Sequence, residues 1–169
     1  MRVLGIDPGS QSTGFGIVDF DETAYEVKAF GTIKPSRRLP FHLKLHMIGR
    51  EVGELIAAHA PEEVAIESPF YAQNIKTAIA LGQVRGAVLV AVAASGCALS
   101  EYSALEIKKA VTGYGQAEKM QVKAMVKALL NIKGEVEADA SDALAAAICH
   151  LNTRTFQKTV EKSTGGGGR

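Results

Sequence analysis

Two short apolar runs in this chain each end on a carboxylate. Val3-Leu4-Gly5-Ile6 precedes Asp7, and Val64-Ala65-Ile66 precedes Glu67. Short runs of aliphatic and β-branched residues are typical of buried strands. In open α/β sheets, ligands bind at the carboxyl ends of such strands. The sequence therefore predicts an α/β fold in which Asp7 and Glu67 stand where strands end and a ligand can bind.

A second pair of carboxylates opens a predicted helix. Asp139 and Asp142 are three residues apart, which places them on neighbouring positions of one helix face. The apolar positions that follow have helical spacing: Ala140, Leu144, Ala147, Ile148 and Leu151. Each acid alone is more readily explained as a turn residue, a strand-end residue or a helix cap. Two acids at strand ends and two at a helix start together favour a functional site.

The chemistry of this acidic group predicts a magnesium site. Mg²⁺ prefers hard oxygen ligands and keeps waters and substrate phosphates in its shell, so carboxylates without histidine or cysteine suit it. Two such ions about 4 Å apart can activate water and stabilise the leaving oxygen in phosphodiester hydrolysis. The hypothesis is that Asp7 bridges two Mg²⁺ ions while Glu67, Asp139 and Asp142 complete their ligand sets, with Mn²⁺ as an alternative ion.

The remaining pattern predicts a mixed five-stranded sheet with helices on its faces. The first strand, Thr13–Asp19 and Tyr25–Ile33 form an antiparallel meander, and Glu63–Glu67 and Ala98–Tyr102 add parallel strands through helical crossovers. The predicted helices are Pro40–Ala60, Ile75–Ser95, Ser103–Thr112, Glu118–Leu130 and Ala140–Arg154. Residues 1–154 make one domain, and 155–169, which end in four glycines, are predicted to be a flexible tail.

Composition narrows the class of protein further. No uninterrupted apolar stretch has membrane length, and the N-terminus lacks an apolar secretion core, so we expect a cytoplasmic protein that has no membrane partner. Cys97 and Cys149 are far apart and outside any Cys/His cluster, which favours buried thiols over a disulfide or a zinc site. The net charge of +1 neither requires nor excludes nucleic acid, because the acidic group can cancel basic charge elsewhere.

Several motifs, taken in order, resemble one family. They are Asp7-Pro8-Gly9 with Thr13-Gly14-Phe15-Gly16, Glu67 with Phe70 and Asn74, Leu81-Gly82-Gln83-Val84-Arg85-Gly86, Ala117-Glu118-Lys119, and Asp139-Ala140-Ser141-Asp142-Ala143-Leu144-Ala145. Together they resemble the RuvC family of Holliday junction resolvases, over about Arg2 to Leu151. The resemblance implies an RNase H-like fold, a homodimer, Mg²⁺-dependent endonuclease activity on four-way DNA junctions, and cooperation with a branch-migration helicase.

The resemblance also implies roles for individual residues. The family's acidic tetrad falls on Asp7, Glu67, Asp139 and Asp142. Its junction-contacting aromatic falls on Phe70, although Pro69 before it departs from the pattern. Its two lysines fall on Lys108 and Lys119, with Lys109 leaving the first assignment open.

Lys119 is our choice for the scissile phosphate and Lys108 for a neighbouring one. Further candidate DNA contacts are Tyr71, Arg85 and Lys123. For the lysine stripe that includes Lys119 and Lys123, a solvated helix face is the ordinary alternative. For Phe70 and Tyr71 the ordinary alternative to a DNA contact is burial in the protein core.

Two other segments bear on partners. The helix Ile75–Ser95 is apolar around its whole circumference from Ala78 to Ala94, which is explained either by burial inside the monomer or by a symmetric dimer. The basic loop Pro35-Ser36-Arg37-Arg38-Leu39 is a candidate for touching DNA.

Three rival functions remain open at this point. Asp7-Pro8-Gly9-Ser10 also resembles the phosphate loop of actin-like ATPases and sugar kinases, although the chain has no second copy of that loop. A nuclease of the same fold that cuts RNA or RNA–DNA hybrids would differ only in substrate. A non-catalytic junction-binding protein would not need the four acids.

Overall fold

The computed structural model describes residues 1–68 and 74–164, with side chains described up to residue 161. Its centre is a five-stranded sheet of β1 Arg2–Asp7, β2 Thr13–Phe20, β3 Tyr25–Ile33, β4 Glu63–Glu67 and β5 Ala98–Tyr102, in the order β3-β2-β1-β4-β5. Strands β1, β2 and β3 pair antiparallel, whereas β1 with β4 and β4 with β5 pair parallel. The predicted mixed sheet of a meander plus two parallel strands is confirmed.

Helices cover both faces of this sheet. They are α1 Phe41–His59, α2 Ile75–Ser95, α3 Ala104–Thr112, α4 Lys119–Leu129 and α5 Ala138–Thr164. One apolar core joins the sheet to α1 and α2, and a second core on the opposite face joins it to α3, α4 and α5. Both faces of β1 and β4 are buried in this way, which explains why these strands read as continuous apolar runs.

The C-terminal boundary of α5 differs from the prediction. The sequence predicts a helix that ends at Arg154, whereas α5 continues to Thr164. The threonine hydroxyls of the additional turns bond within the helix, since Thr155 donates to the Leu151 carbonyl at 2.8 Å and Thr159 donates to the Thr155 carbonyl at 3.0 Å. No proline or glycine lies between Ala138 and Thr164. The loss of the apolar pattern after Arg154 therefore did not mark the end of α5.

Helix α2 leaves much of its apolar surface uncovered. Val84, Val88 and Val92 face the core, but Ile75, Ile79 and Val90 are 77%, 58% and 70% exposed. By length and composition alone, α2 is the one helix among the described residues that could cross a membrane. One such helix is weak evidence for a membrane span, because a helix that packs against a second protein chain has the same composition.

Candidate functional site

Asp7 and Glu67 meet at one edge of the sheet. They are the last residues of the adjacent parallel strands β1 and β4, whose register pairs Ile6 with Ile66. The next residue, Ser68, donates its backbone N–H to the Tyr102 carbonyl at 2.7 Å, so the end of β4 is also held to β5. The predicted pairing of these two acids is therefore present in the fold.

Two glycines bring the other two acids to the same edge. Helix α5 packs directly on β1 and β2. A Cβ on Gly14 would lie 1.9 Å from the Asp139 carbonyl oxygen, and one on Gly5 would lie 1.9 Å from the Ala143 carbonyl oxygen. Because only glycine permits this approach of backbones, Asp139 and Asp142 start α5 beside Asp7. Sequence reasoning missed this role, although a glycine inside an apolar strand run is the signal for it.

The raised pKa of Asp7 is the clearest indication that the four acids lie close together. The burial of Asp7, followed by the negative charges of Asp142, Glu67 and Asp139, raises the pKa of the Asp7 carboxyl to about 7. Burial also raises the pKa of Glu67 and of Asp142, and a neighbouring tetrad acid raises each further. All four predicted acids therefore interact electrostatically in one half-buried site.

Two lysines oppose this negative charge. Lys119, the first residue of α4, places its Nζ 3.5 Å from an Asp142 carboxylate oxygen, and the Asp142 charge raises the pKa of Lys119. The positive charge of Lys108 on α3 partly offsets the rise in the pKa of both Glu67 and Asp142. The Lys119 side chain is 83% exposed, so its ammonium can also reach a ligand in solvent.

The acidic group fits divalent cations. It contains only carboxylate oxygens, the ligand type that Mg²⁺ prefers, and cations would remove the repulsion that Asp7 experiences. In residues 1–68 and 74–164, no three His, Cys, Asp or Glu side chains already converge as ligands of one ion. Mg²⁺ keeps several waters and substrate phosphates in its shell, so the protein needs to supply only some of its ligands.

Arg85 lies behind the site rather than on its open side. Its guanidinium donates to the Glu67 backbone carbonyl at 2.7 Å and pairs with the Glu101 carboxylate at 2.7 Å, with only 13% of the side chain exposed. Residue identity alone gave no sign of this role, since an arginine on an apolar helix can turn toward the protein or toward solvent.

The other predicted DNA contacts occupy different positions. Lys108 is half-buried toward the acids, whereas the adjacent Lys109 is exposed. Lys123 pairs with Glu135 at 3.9 Å. Phe70 and Tyr71, with Pro69 before them, lie outside the described residues.

The comparison with protein families decides the class. Residues 3–150 match the family model described as crossover junction endodeoxyribonuclease RuvC. The chain belongs to the RuvC family.

Other RuvC proteins resemble it over nearly its whole length. A RuvC crossover junction endodeoxyribonuclease from Koribacter versatilis is 52% identical, covering 90% of this chain and 93% of that protein. One from Geobacter metallireducens is 47% identical over the same shares. The structure of Thermus thermophilus RuvC in complex with Holliday junction substrate aligns with a TM-score of 0.88 at 31% identity, covering 93% of this chain and 96% of that one.

The structural relatives and membership of the RuvC family confirm two further predictions. The sheet order and these structural relatives confirm the RNase H-like fold. The family is one of crossover junction endodeoxyribonucleases, so the predicted enzyme class is confirmed as well. This assignment takes the place of the ATPase and non-catalytic alternatives.

Proposed function

We propose that this chain resolves four-way DNA junctions by paired, symmetric, Mg²⁺-dependent nicks, in recombination and repair. The observation that carries the proposal is that Glu67, Asp139 and Asp142 lie near enough to buried Asp7 for their charges to raise the pKa of its carboxyl. Support for the substrate comes from the RuvC relatives, one of which was solved with a Holliday junction.

The four carboxylates are the residues that would hold the metal. When bound, two Mg²⁺ ions supply activation of water and stabilisation of the leaving oxygen. Asp7, which interacts with each of the other three acids, would be the central member of this ligand set.

The lysines would complete the charge balance around the phosphate. Lys119 reaches Asp142 from the exposed side of the site, so it can hold a non-bridging oxygen of the scissile phosphate. Lys108 lies deeper, within electrostatic reach of Glu67 and Asp142, and is suited to a neighbouring phosphate.

A symmetric pair of nicks requires two sites, and we infer a homodimer. The exposed apolar residues Ile75, Ile79 and Val90 of α2 are surface that a second copy could bury. The relatives are bacterial proteins, and we infer that this chain also acts in the cytoplasm, where it would meet chromosomal DNA.

One gel tests the proposed function. Purified protein is incubated with a labelled four-way junction, a linear duplex and an RNA–DNA hybrid, each with Mg²⁺ and with EDTA. We expect symmetric nicks in two strands of like polarity in the junction, only with Mg²⁺, and no cutting of the duplex or the hybrid. Preferential cutting of the hybrid would instead support the related nuclease, and equal cutting with EDTA would contradict the metal site.

We further propose that Arg85 positions Glu67, although the sequence predicts a DNA contact there. Replacing Arg85 by Met removes the hydrogen bond to the Glu67 carbonyl and leaves the end of β4 less fixed. We expect nicking at saturating junction to slow by about 10-fold to 100-fold, the usual effect of losing a group that orients metal ligands. The Mg²⁺ concentration for half-maximal activity should rise, while the Kd for the junction stays unchanged.

The matched control for Arg85→Met is Glu101→Gln. It alters the ion pair at 2.7 Å but leaves the hydrogen bond from Arg85 to Glu67 in place, so its effect on the Mg²⁺ dependence should be smaller. Weaker junction binding by Arg85→Met, at an unchanged Mg²⁺ dependence, would show that Arg85 contacts DNA after all.

A further inference from the structure

We propose that the loop of residues 34–40, between β3 and α1, is an arm that binds the DNA backbone next to the strand being cut, through Arg37 and Arg38. This inference rests on the proposed function, since its partner is the junction itself. It adds a contact surface that lies outside the acidic group and outside Lys108 and Lys119.

The strand pairing places this arm at the edge that carries the acids. Asp7 pairs with Gly14 across β1 and β2, and Gly14 pairs with Thr32 across β2 and β3. Strand β3 ends one residue later, at Ile33, so residues 34–40 leave the sheet at the same edge as Asp7.

A salt bridge fastens the arm to the start of α5. Lys34 at its base pairs with Glu137, which precedes Asp139 by two residues. The arm is therefore held directly beside one of the four acids.

Contacts within the arm order it before any ligand arrives. The Leu39 N–H donates to the Ser36 carbonyl at 3.1 Å, and Lys44 of α1 donates to the Arg37 carbonyl at 3.3 Å. Pro35 is buried, and Pro40 occupies the N-cap position of α1. A backbone fixed in this way loses little entropy on binding DNA.

The charges of Arg37 and Arg38 are uncompensated, unlike those of the other arginines that the structure describes. Four arginines elsewhere in the described part of the chain make ion pairs: Arg2 with Asp19, Arg50 with Glu54, Arg85 with Glu101 and Arg154 with Glu63. Within that part, Arg37 and Arg38 pair with no carboxylate, and both are exposed.

A guanidinium matches the oxygens of a phosphate in a bidentate manner. The arm therefore offers two adjacent cations at the edge where the acids would meet the scissile phosphate. A DNA backbone is the ligand class that this arrangement fits.

The experiment compares junction binding of wild type, R37A/R38A and a charge-matched control. The control, K28A/K158A, also removes two positive charges. Lys28 pairs with Asp19 toward the opposite end of the strands, and Lys158 lines a cavity there with Met1 and Phe20. Fluorescence anisotropy of a labelled junction in EDTA, over a range of salt concentrations, gives the Kd and its salt dependence without cleavage.

We expect R37A/R38A to weaken binding about 10-fold and to reduce the slope of log Kd against log salt by about 1.8, because each lost phosphate contact removes about 0.9. The control should keep the wild-type Kd and the wild-type slope, and its nicking with Mg²⁺ should match that of wild type. Thermal melting verifies that both variants are folded.

Two results overturn the proposal and separate it from the proposed function. If wild type binds and nicks the junction but R37A/R38A has the same Kd and salt slope, the arm does not contact DNA, and the proposed function stands. If wild type neither binds nor nicks a junction, the proposed function fails, and the inference that rests on it fails as well.

Discussion

Replacing Asp7 by Asn is expected to abolish Mg²⁺-dependent nicking while leaving junction binding in place. Asp7 interacts with all three other acids and is the most strongly perturbed of the four. An amide at this position carries no negative charge with which to hold divalent cations. We expect a loss of about three orders of magnitude or more, the upper range for removing one charge-stabilising group from an active site. Single-turnover nicking of a labelled junction measures the rate, and anisotropy in EDTA measures the Kd.

Although Asp7→Asn should abolish nicking, it should stabilise the fold at neutral and higher pH when metal is absent. Burial and neighbouring carboxylates raise the pKa of Asp7 from 3.8 to about 7. The unfolded chain therefore loses this proton at lower pH than the folded chain does, so ionisation of Asp7 increasingly destabilises the fold as the pH rises through that window. In EDTA, Asp7→Asn should melt above wild type at about pH 8 and together with it at about pH 4. Added Mg²⁺ should raise the Tm of wild type more than that of the variant.

The control for this experiment is Asp21→Asn. Asp21 is a matched aspartate beyond the other end of β2, where its side-chain oxygen accepts hydrogen bonds from Thr23 and Ala24 that an asparagine oxygen can also accept. It should nick at the wild-type rate. Near-normal nicking by Asp7→Asn would show that Asp7 is not a metal ligand, whereas loss of junction binding by that variant would assign it a structural role.

The sequence predicts the sheet well because its strands are unambiguous. β1 and β4 are buried on both faces and read as continuous apolar runs that stop at an acid. The helix starts are equally clear, as at Ser103, where a capping box with Glu106 opens α3. The predicted end of α5 was wrong because residues 154–161 are exposed, so these turns have no buried face that an apolar pattern could reveal.

The sequence predicts the part of the site that depends on where a residue stands in its helix or strand. The acids stand at element ends, and the topology brings those ends to one edge of the sheet. The direction of a long side chain depends on tertiary packing, which is why Arg85 could not be assigned to Glu67. Similarly, the distance of α5 from the sheet is set by Gly5 and Gly14, whose contacts exist only once the helix has docked.

That docking distance leads to the second large effect, which is expected for Gly14→Ala. The added Cβ would lie 1.9 Å from the Asp139 carbonyl oxygen and 2.2 Å from its carbonyl carbon. Both partners are backbone atoms, so no side chain can rotate away and the start of α5 must shift. We expect a loss of about 3 kcal/mol or more in the free energy of unfolding, at or beyond the upper end for overpacking. In a chain of this length that corresponds to a fall in Tm of about 10 °C.

The functional consequence separates this effect from ordinary destabilisation. Because the shift moves Asp139 and Asp142 away from Asp7, nicking measured well below the Tm, where the variant is folded, should still be impaired and should need more Mg²⁺. Gly53→Ala is the matched control, since a Cβ there meets nothing within 4 Å in the interior of α1. Alanine should even add about 0.5–1 kcal/mol of stability at that position. A Gly14→Ala protein with the Tm and Mg²⁺ dependence of wild type would mean that the sheet and α5 are not in backbone contact, and that glycine does not set the spacing of the acids.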